Sequence, residues 1–395
     1  MTSNLPQRQA VRRGLHLWPV GTVLALTFAT AIAVAAVVFF AGWNLLGAEG
    51  LKPERRLTSG TLFDLVKLSF GVVAGAGALV ALVVAYRRQR VDEDGALREA
   101  TRLHTERFTT AVSQLGDDSA AVRLGGVHAL TGLANDAPTR DLRQTCIDVL
   151  CAYLRLPYTA EADIPFSDTD ARHAYLALRE IRHTVIRLIR DHLRLPPEHP
   201  HSWQGHDLDF TGIVFDGGNF SLAVFSGGMV SFIGAEFSGG MVSFIGAEFS
   251  GGIVHFGSAA FSGGTVQFGD AEFSGSTVHF GSTEFSGSTV DFNGAAFFGG
   301  TVNFGSAEFS GSTVEFSDAE FAGGTVNFDS ATFSGGTVDF RHALFSGGTV
   351  DFRRASGAAP SGLVPSGPVP SRLVPPGGHL PTGLTLPQAW YLPTP

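Results

Sequence analysis

Histidine, cysteine and carboxylate side chains could carry catalysis or hold a metal, and their spacing in this 395-residue chain argues against both. His104, His128, His173, His183 and His192 lie in a stretch without HExxH or CxxC spacing, the patterns by which a zinc site announces itself. Asp170 with His173, and His183 with Arg187, have the separations of ordinary neighbours on a helix surface. Cys146 and Cys151 suit neither a zinc site nor a redox pair and read as core thiols of a helix. None of the 50 glycines opens into the Gly-Lys-Ser/Thr ending of a phosphate loop. The expectation is a non-enzymatic protein with no catalytic residue, no metal and no cofactor.

What remains is charge. Residues 1–205 carry 23 Lys+Arg against 20 Asp+Glu, whereas residues 206–352 carry one basic residue, Arg341, against nine Asp and seven Glu. The overall charge of −9 thus hides a mildly basic front and an acidic array, an asymmetry that steers partners. Glu236, Glu248, Glu272, Glu284, Glu308, Glu320, Asp291, Asp339 and Asp351 form the candidate interaction surface. Thr265, Thr277, Thr289, Thr301, Thr313, Thr325, Thr337 and Thr349 make an outward series. Two positions on stand Gln267, His279, Asp291, Asn303, Glu315, Asn327, Asp339 and Asp351. An ice-binding face would need threonine in both series, which is not the case.

These carboxylates are positioned by a repeat. From Phe225 a twelve-residue unit recurs eleven times, each with an Ala-x-Phe and a Val-x-Phe piece. In an extended strand such a pair points to one side. The phenylalanines fall at Phe225, Phe232, Phe237, Phe244, Phe249, Phe256, Phe261, Phe268 and onward in alternating steps of seven and five. They are the expected solenoid core, each unit completed only by its neighbours. Two coils fit: a 24-residue coil with four faces, or a 12-residue coil with two. The larger one stacks Glu248 on Glu272 and Glu284 on Glu308. Continuity with the plain five-residue spacing of Phe210, Phe215, Phe220 and Phe225 favours it.

Leu208, Ile213, Gly218 and Ala223 each stand two before one of those four phenylalanines, and this resembles pentapeptide-repeat proteins. The resemblance implies a right-handed quadrilateral β-solenoid over residues 206–355, with the large residue and the small residue two before it facing inward. Two extra residues after every other Phe depart from the family's plain pattern. The order of parts resembles membrane-anchored actinobacterial members, including an RLGG-type turn at 123–126. Some members of the family are DNA-mimicking inhibitors of type II topoisomerases, which makes a DNA-mimic regulator of such an enzyme the alternative expectation.

Ahead of the array, no charged residue occurs between Arg13 and Glu49, and 68–86 is a second uncharged run. The first exceeds, and the second nears, the roughly 20 residues a membrane helix needs. The expected order is a cytoplasmic N-terminus (1–16), a first transmembrane helix (17–46), a loop (47–67), a second transmembrane helix (68–86), a small all-α connector (92–200) and the solenoid (206–355). A disordered Pro/Gly-rich tail (356–395) follows, in which Trp390 and Tyr391 could also fold back over the last coil. Three basic residues before the first run and five after the second, against four between them, place both termini in the cytoplasm of a multi-pass membrane protein. Gly71 and Gly75 suit close helix packing within this hairpin, or self-association through it. The expected partners are the lipid bilayer and a cytoplasmic protein, without direct nucleic-acid binding. The expected role is a membrane-tethered scaffold presenting an acidic rod.

Overall fold

The structure, a computed structural model, describes residues 20–45, 59–157, 161, 164–363, 380–381 and 383–390. It divides into two compact units, 1–100 and 101–395. In the first, α1 spans Val20–Leu45 and α2 begins at Ser59, inside the expected loop, continuing to Leu115. The anticipated break between 86 and 92 is absent, because the shift there from apolar to charged residues changes the solvent a helix prefers, not its backbone. Pairs one turn apart, such as Gln89 with Glu93 at 3.0 Å, support the charged part. Among the described residues one helix, Ser59–Leu115, is long and apolar enough to cross a membrane, not two. The side chains of Leu62, Phe63, Leu65, Val66, Leu68 and Phe70 are exposed. A Cβ at Gly71 or Gly75 would meet open space, so neither glycine serves close packing among the described residues.

The second unit starts with three further helices, α3 (Ala120–Asn135), α4 (Arg140–Leu154) and α5 (Thr169–Leu193). Thr139 and Asp168 cap α4 and α5 by accepting from the N–H groups of Leu142 and Ala171, and Pro196 and Pro197 follow the end of α5. The expected turn at 123–126 is instead the interior of α3. Its second glycine serves packing: a Cβ on Gly126 would lie 2.6 Å from the Leu115 amide nitrogen, so only glycine lets α3 close on the end of α2.

Residues 208–357 wind into a β-solenoid of four parallel sheets. The first face runs from Leu208–Asp209 through Met229–Ser231, Ile253–His255 and Thr277–His279 to Thr349–Asp351. The second runs from Val214–Phe215 through Glu236–Phe237 to Ser356–Gly357. The third runs from Gly218–Asn219 through Thr265–Gln267 to Thr337–Asp339, and the fourth from Val224–Phe225 through Glu248–Phe249 to Leu344–Phe345. Register decides coil size. Leu208 pairs with Val230 in the opening coil, whereas Thr265 pairs with Thr289 and Glu272 with Glu248, an offset of 24. The 12-residue coil is therefore excluded.

Phe225, Phe232, Phe237, Phe244, Phe249, Phe256, Phe261 and Phe268 are all buried, with Val and Ala between them. Their rings form four stacks, one per face, such as Phe256 on Phe280 at 4.7 Å and Phe261 on Phe285 at 4.9 Å. The Val-x-Phe rings of the first and third faces also meet edge-to-face across the core, Phe268 lying 5.9 Å from Phe256 and 6.0 Å from Phe280, the arrangement aromatic quadrupoles favour. Corners stack as tightly as strands. The glycine present in every unit, such as Gly263, is fixed by this stacking: a Cβ there would lie 2.3 Å from the Ser238 carbonyl oxygen of the coil beneath.

Both ends are closed. The edge at Leu208–Asp209 meets α4 and the edge at Gly218–Asn219 meets α5, and one core runs from Leu130, Ile147 and Ile189 through Trp203 into Phe210. At the far end Leu384–Thr385 adds a parallel strand to Val350–Asp351. Trp390 is buried there, its ring 5.7 Å from Phe352 and its indole N–H donating to the Gly357 carbonyl at 3.0 Å. The expected disorder of 356–395 does not hold for this part of the tail, because the last coil needs a cover for its apolar end. Tyr391 and 364–379 lie outside the described residues.

Candidate interaction surface

On the first and third faces five of the residues between Val and Phe turn back to accept from their own backbone. Asp291 accepts from the Asn293 N–H at 2.8 Å, Asn303 from Gly305 at 2.8 Å and Asn327 from Asp329 at 2.8 Å. Asp339 and Asp351 do the same for Arg341 and Arg353, and each also takes the side chain of that arginine, at 2.7 Å and 2.6 Å. Such turns recruit Asp, Asn and Ser for a local structural reason. Three members of the candidate surface, Asp291, Asp339 and Asp351, thus have a structural duty in their own turns. The hydrogen bond from the Arg353 side chain holds the Asp351 carboxyl below its ordinary range. Arg354 does the same for Asp329.

The 24-residue coil sorts the carboxylates by face. Glu236, Glu284 and Glu308 stand on the second face, and Glu248, Glu272 and Glu320 on the fourth. The pairs Glu248/Glu272 and Glu284/Glu308 are in register. Asp291 and Asp339 flank Glu315 in an unbroken acidic ladder on the third face. Glu315 was missed as a candidate, since in the linear series it alternates with residues of another face. Of these candidates Asp351 alone belongs to the first face, which otherwise presents Asp209, paired with Arg155, then Ser231, His255, His279, Asn303 and Asn327. There His255 and His279 stack at 4.7 Å, and burial followed by the neighbouring ring lowers the pKa of His255. Acidity therefore covers three faces and leaves one nearly neutral.

The helical cap is bound to the first coil by buried polar groups. Asp216 accepts from Tyr175 Oη at 2.9 Å, with Arg179 Nε at 3.3 Å and His183 Nε2 at 3.5 Å. Burial and then that hydrogen bond push the Tyr175 phenol up to about 12. Arg182, buried, donates to the carbonyls of Leu154 at 2.5 Å and Val214 at 2.6 Å, joining α4, α5 and the second face. Arg143 donates to the carbonyls of Ala134, Asn135, Pro200 and Ser202. Cys146 and Cys151 are buried on α4, and burial pushes their thiols up to about 11 and about 12, which leaves them poor nucleophiles. Among the described residues no three His, Cys, Asp or Glu side chains converge as a metal site.

His206 adds a pH dependence. Burial, then Arg140 and Arg143, lower its pKa from 6.5 to about 4. The unfolded chain takes up this proton below the ordinary histidine value and the folded chain resists it, so this contribution is present above that value and is lost as pH falls towards about 4. Melting of the full chain should accordingly fall between pH 7 and pH 5, and His206→Gln should flatten the dependence. An unchanged slope in that variant would remove His206 as its source.

Residues 304–356 match the family described as pentapeptide repeats (nine copies). No curated protein and no solved structure matches the chain.

Proposed function

We propose that this chain, whose array is a pentapeptide-repeat β-solenoid, is a non-enzymatic scaffold tethered to a membrane and presenting the solenoid to a cytoplasmic protein. The observation that carries this reading is the continuity of α2, whose apolar stretch is exposed while Ala111 and Leu115 at its far end enter the core shared with the solenoid. The right-handed sense of the coil and a cytoplasmic solenoid complete the proposal, the latter from the basic residues that follow the apolar stretch of α2. Three acidic faces and one neutral face suit a partner that grips an edge or the neutral face more than one needing a single acidic plane.

The reporter test is direct. A C-terminal fusion should signal from the cytoplasm; an extracytoplasmic signal would sink the topology. Partner recovery from native membranes should require residues 206–355, and equal recovery with and without them would end the scaffold reading. The alternative, a DNA mimic acting on a type II topoisomerase, draws on the carboxylate ladders at strand spacing. Salt-sensitive binding to the purified enzyme would favour it, and salt-independent or absent binding would remove it.

A further inference from the structure

Beside the Asp216 cluster, α5 and the third face enclose a groove of about 440 Å³. Arg179, His183, Arg187 and Arg190 line one wall from a single stripe of α5, while Asn219 and Ser243 line the other. Glycine makes the floor. At Gly217 (φ +133°) a Cβ would lie 3.2 Å from the His183 ring, and at Gly218 (φ +151°) 3.0 Å from Ile186 Cδ1, so any side chain here would crowd the groove or push α5 away.

The charges of this wall are unequally committed. Arg179 faces Asp216, and Arg190 donates to Asp191 at 2.7 Å. Arg187 is exposed, and its recorded contact is a 3.5 Å hydrogen bond to Thr184 Oγ1. The buried atoms Arg179 Nε and His183 Nε2 face Asp216 at 3.3 Å and 3.5 Å without completing a hydrogen bond to it. The acidic groups nearby are Glu180 on the same wall, Asp191 and Asp216, and the last two are already engaged by arginine. A guanidinium with donors to spare, an imidazole held against a carboxylate, and a neutral amide and hydroxyl opposite are the requirements of an oxyanion with several acceptor oxygens.

We propose that this groove binds a phosphate group, with Arg187 as its main charge partner and His183, Asn219 and Ser243 completing the donor set. The proposal is independent of the scaffold reading, since phosphate binding needs no protein partner. The phosphate could belong to a soluble ligand or to a lipid headgroup, and the experiment separates them. Full-length chain in neutral detergent is titrated with inorganic phosphate at constant ionic strength, with chloride and acetate as controls, and thermal stability is followed. In parallel it is reconstituted into phosphatidylcholine vesicles with and without phosphatidic acid.

Wild type should be stabilised by phosphate beyond the controls, or by phosphatidic acid if the group is presented on lipid. Arg187→Gln should melt like wild type without phosphate, since Arg187 is exposed, and should bind about tenfold more weakly, about 1.4 kcal/mol. His183→Gln should weaken binding less. The proposal is overturned by a response no larger than that to chloride in both arms, or by equal responses of wild type and Arg187→Gln.

Discussion

Phe268→Asp should melt the solenoid far below wild type, while Glu272→Ala should leave its melting temperature nearly unchanged. Phe268 is fully buried, stacked at 4.9 Å on Phe244 and 4.7 Å on Phe292, with edge-to-face partners across the core. Losing its burial costs roughly 2–3 kcal/mol, and each aromatic pair adds about 0.5–1.5 kcal/mol. The carboxylate must also be desolvated or protonated, at several further kcal/mol. The sum approaches the whole stability of an ordinary domain, about 5–15 kcal/mol. Coils rest only on their neighbours, so the damage should spread along the array. Glu272 is exposed and in register with Glu248, so its removal relieves like-charge contact. Circular dichroism melts of the two variants give the answer, and equal melting temperatures would refute the inward assignment.

Deleting 380–395 should convert the chain into a form that associates through its open end. In the intact chain the Val350 N–H donates to Gly383 at 2.9 Å and the Phe352 N–H to Thr385 at 2.8 Å, with Leu384, Leu386 and Trp390 buried on the last coil. Without them the strand Thr349–Asp351 offers an unpaired edge beside bare Phe352 and Phe333. Unprotected edges of this kind template pairing with other chains. Light scattering behind size exclusion should show mass rising with concentration for the deletion and not for wild type. Trp390→Ala should move melting in the same direction, by less. A deletion that keeps both wild-type mass and wild-type melting would mean that the tail is no cap.

Much of this was legible in one dimension. The pairing of Phe with a small residue two before it predicts the inward side of every strand, because side chains alternate in extended backbone. The apolar faces of α3, α4 and α5 follow from the helical period in the same way. The continuity of α2 through 86–92 was not legible, since a change of residue polarity is easily read as a change of element. The cap on the last coil was also hidden, because 356–395 holds ten of the 19 prolines and composition does not reveal docking.

The candidate surface divides along the same line. That the outward positions are acidic, polar or threonine is a property of the sequence alone, as local period decides which side chains avoid the core. Which of them stand together was decided by the coil, whose 24-residue offset places alternate twelve-residue units on opposite faces and so separates Asp291, Glu315 and Asp339 from His279, Asn303 and Asn327. The Asp216 cluster is likewise tertiary, bringing Tyr175, Arg179 and His183 of a helix to a strand corner. Periodicity records the direction of a side chain, whereas neighbours across coils depend on how every corner turns, and corner geometry is settled only when the coils stack.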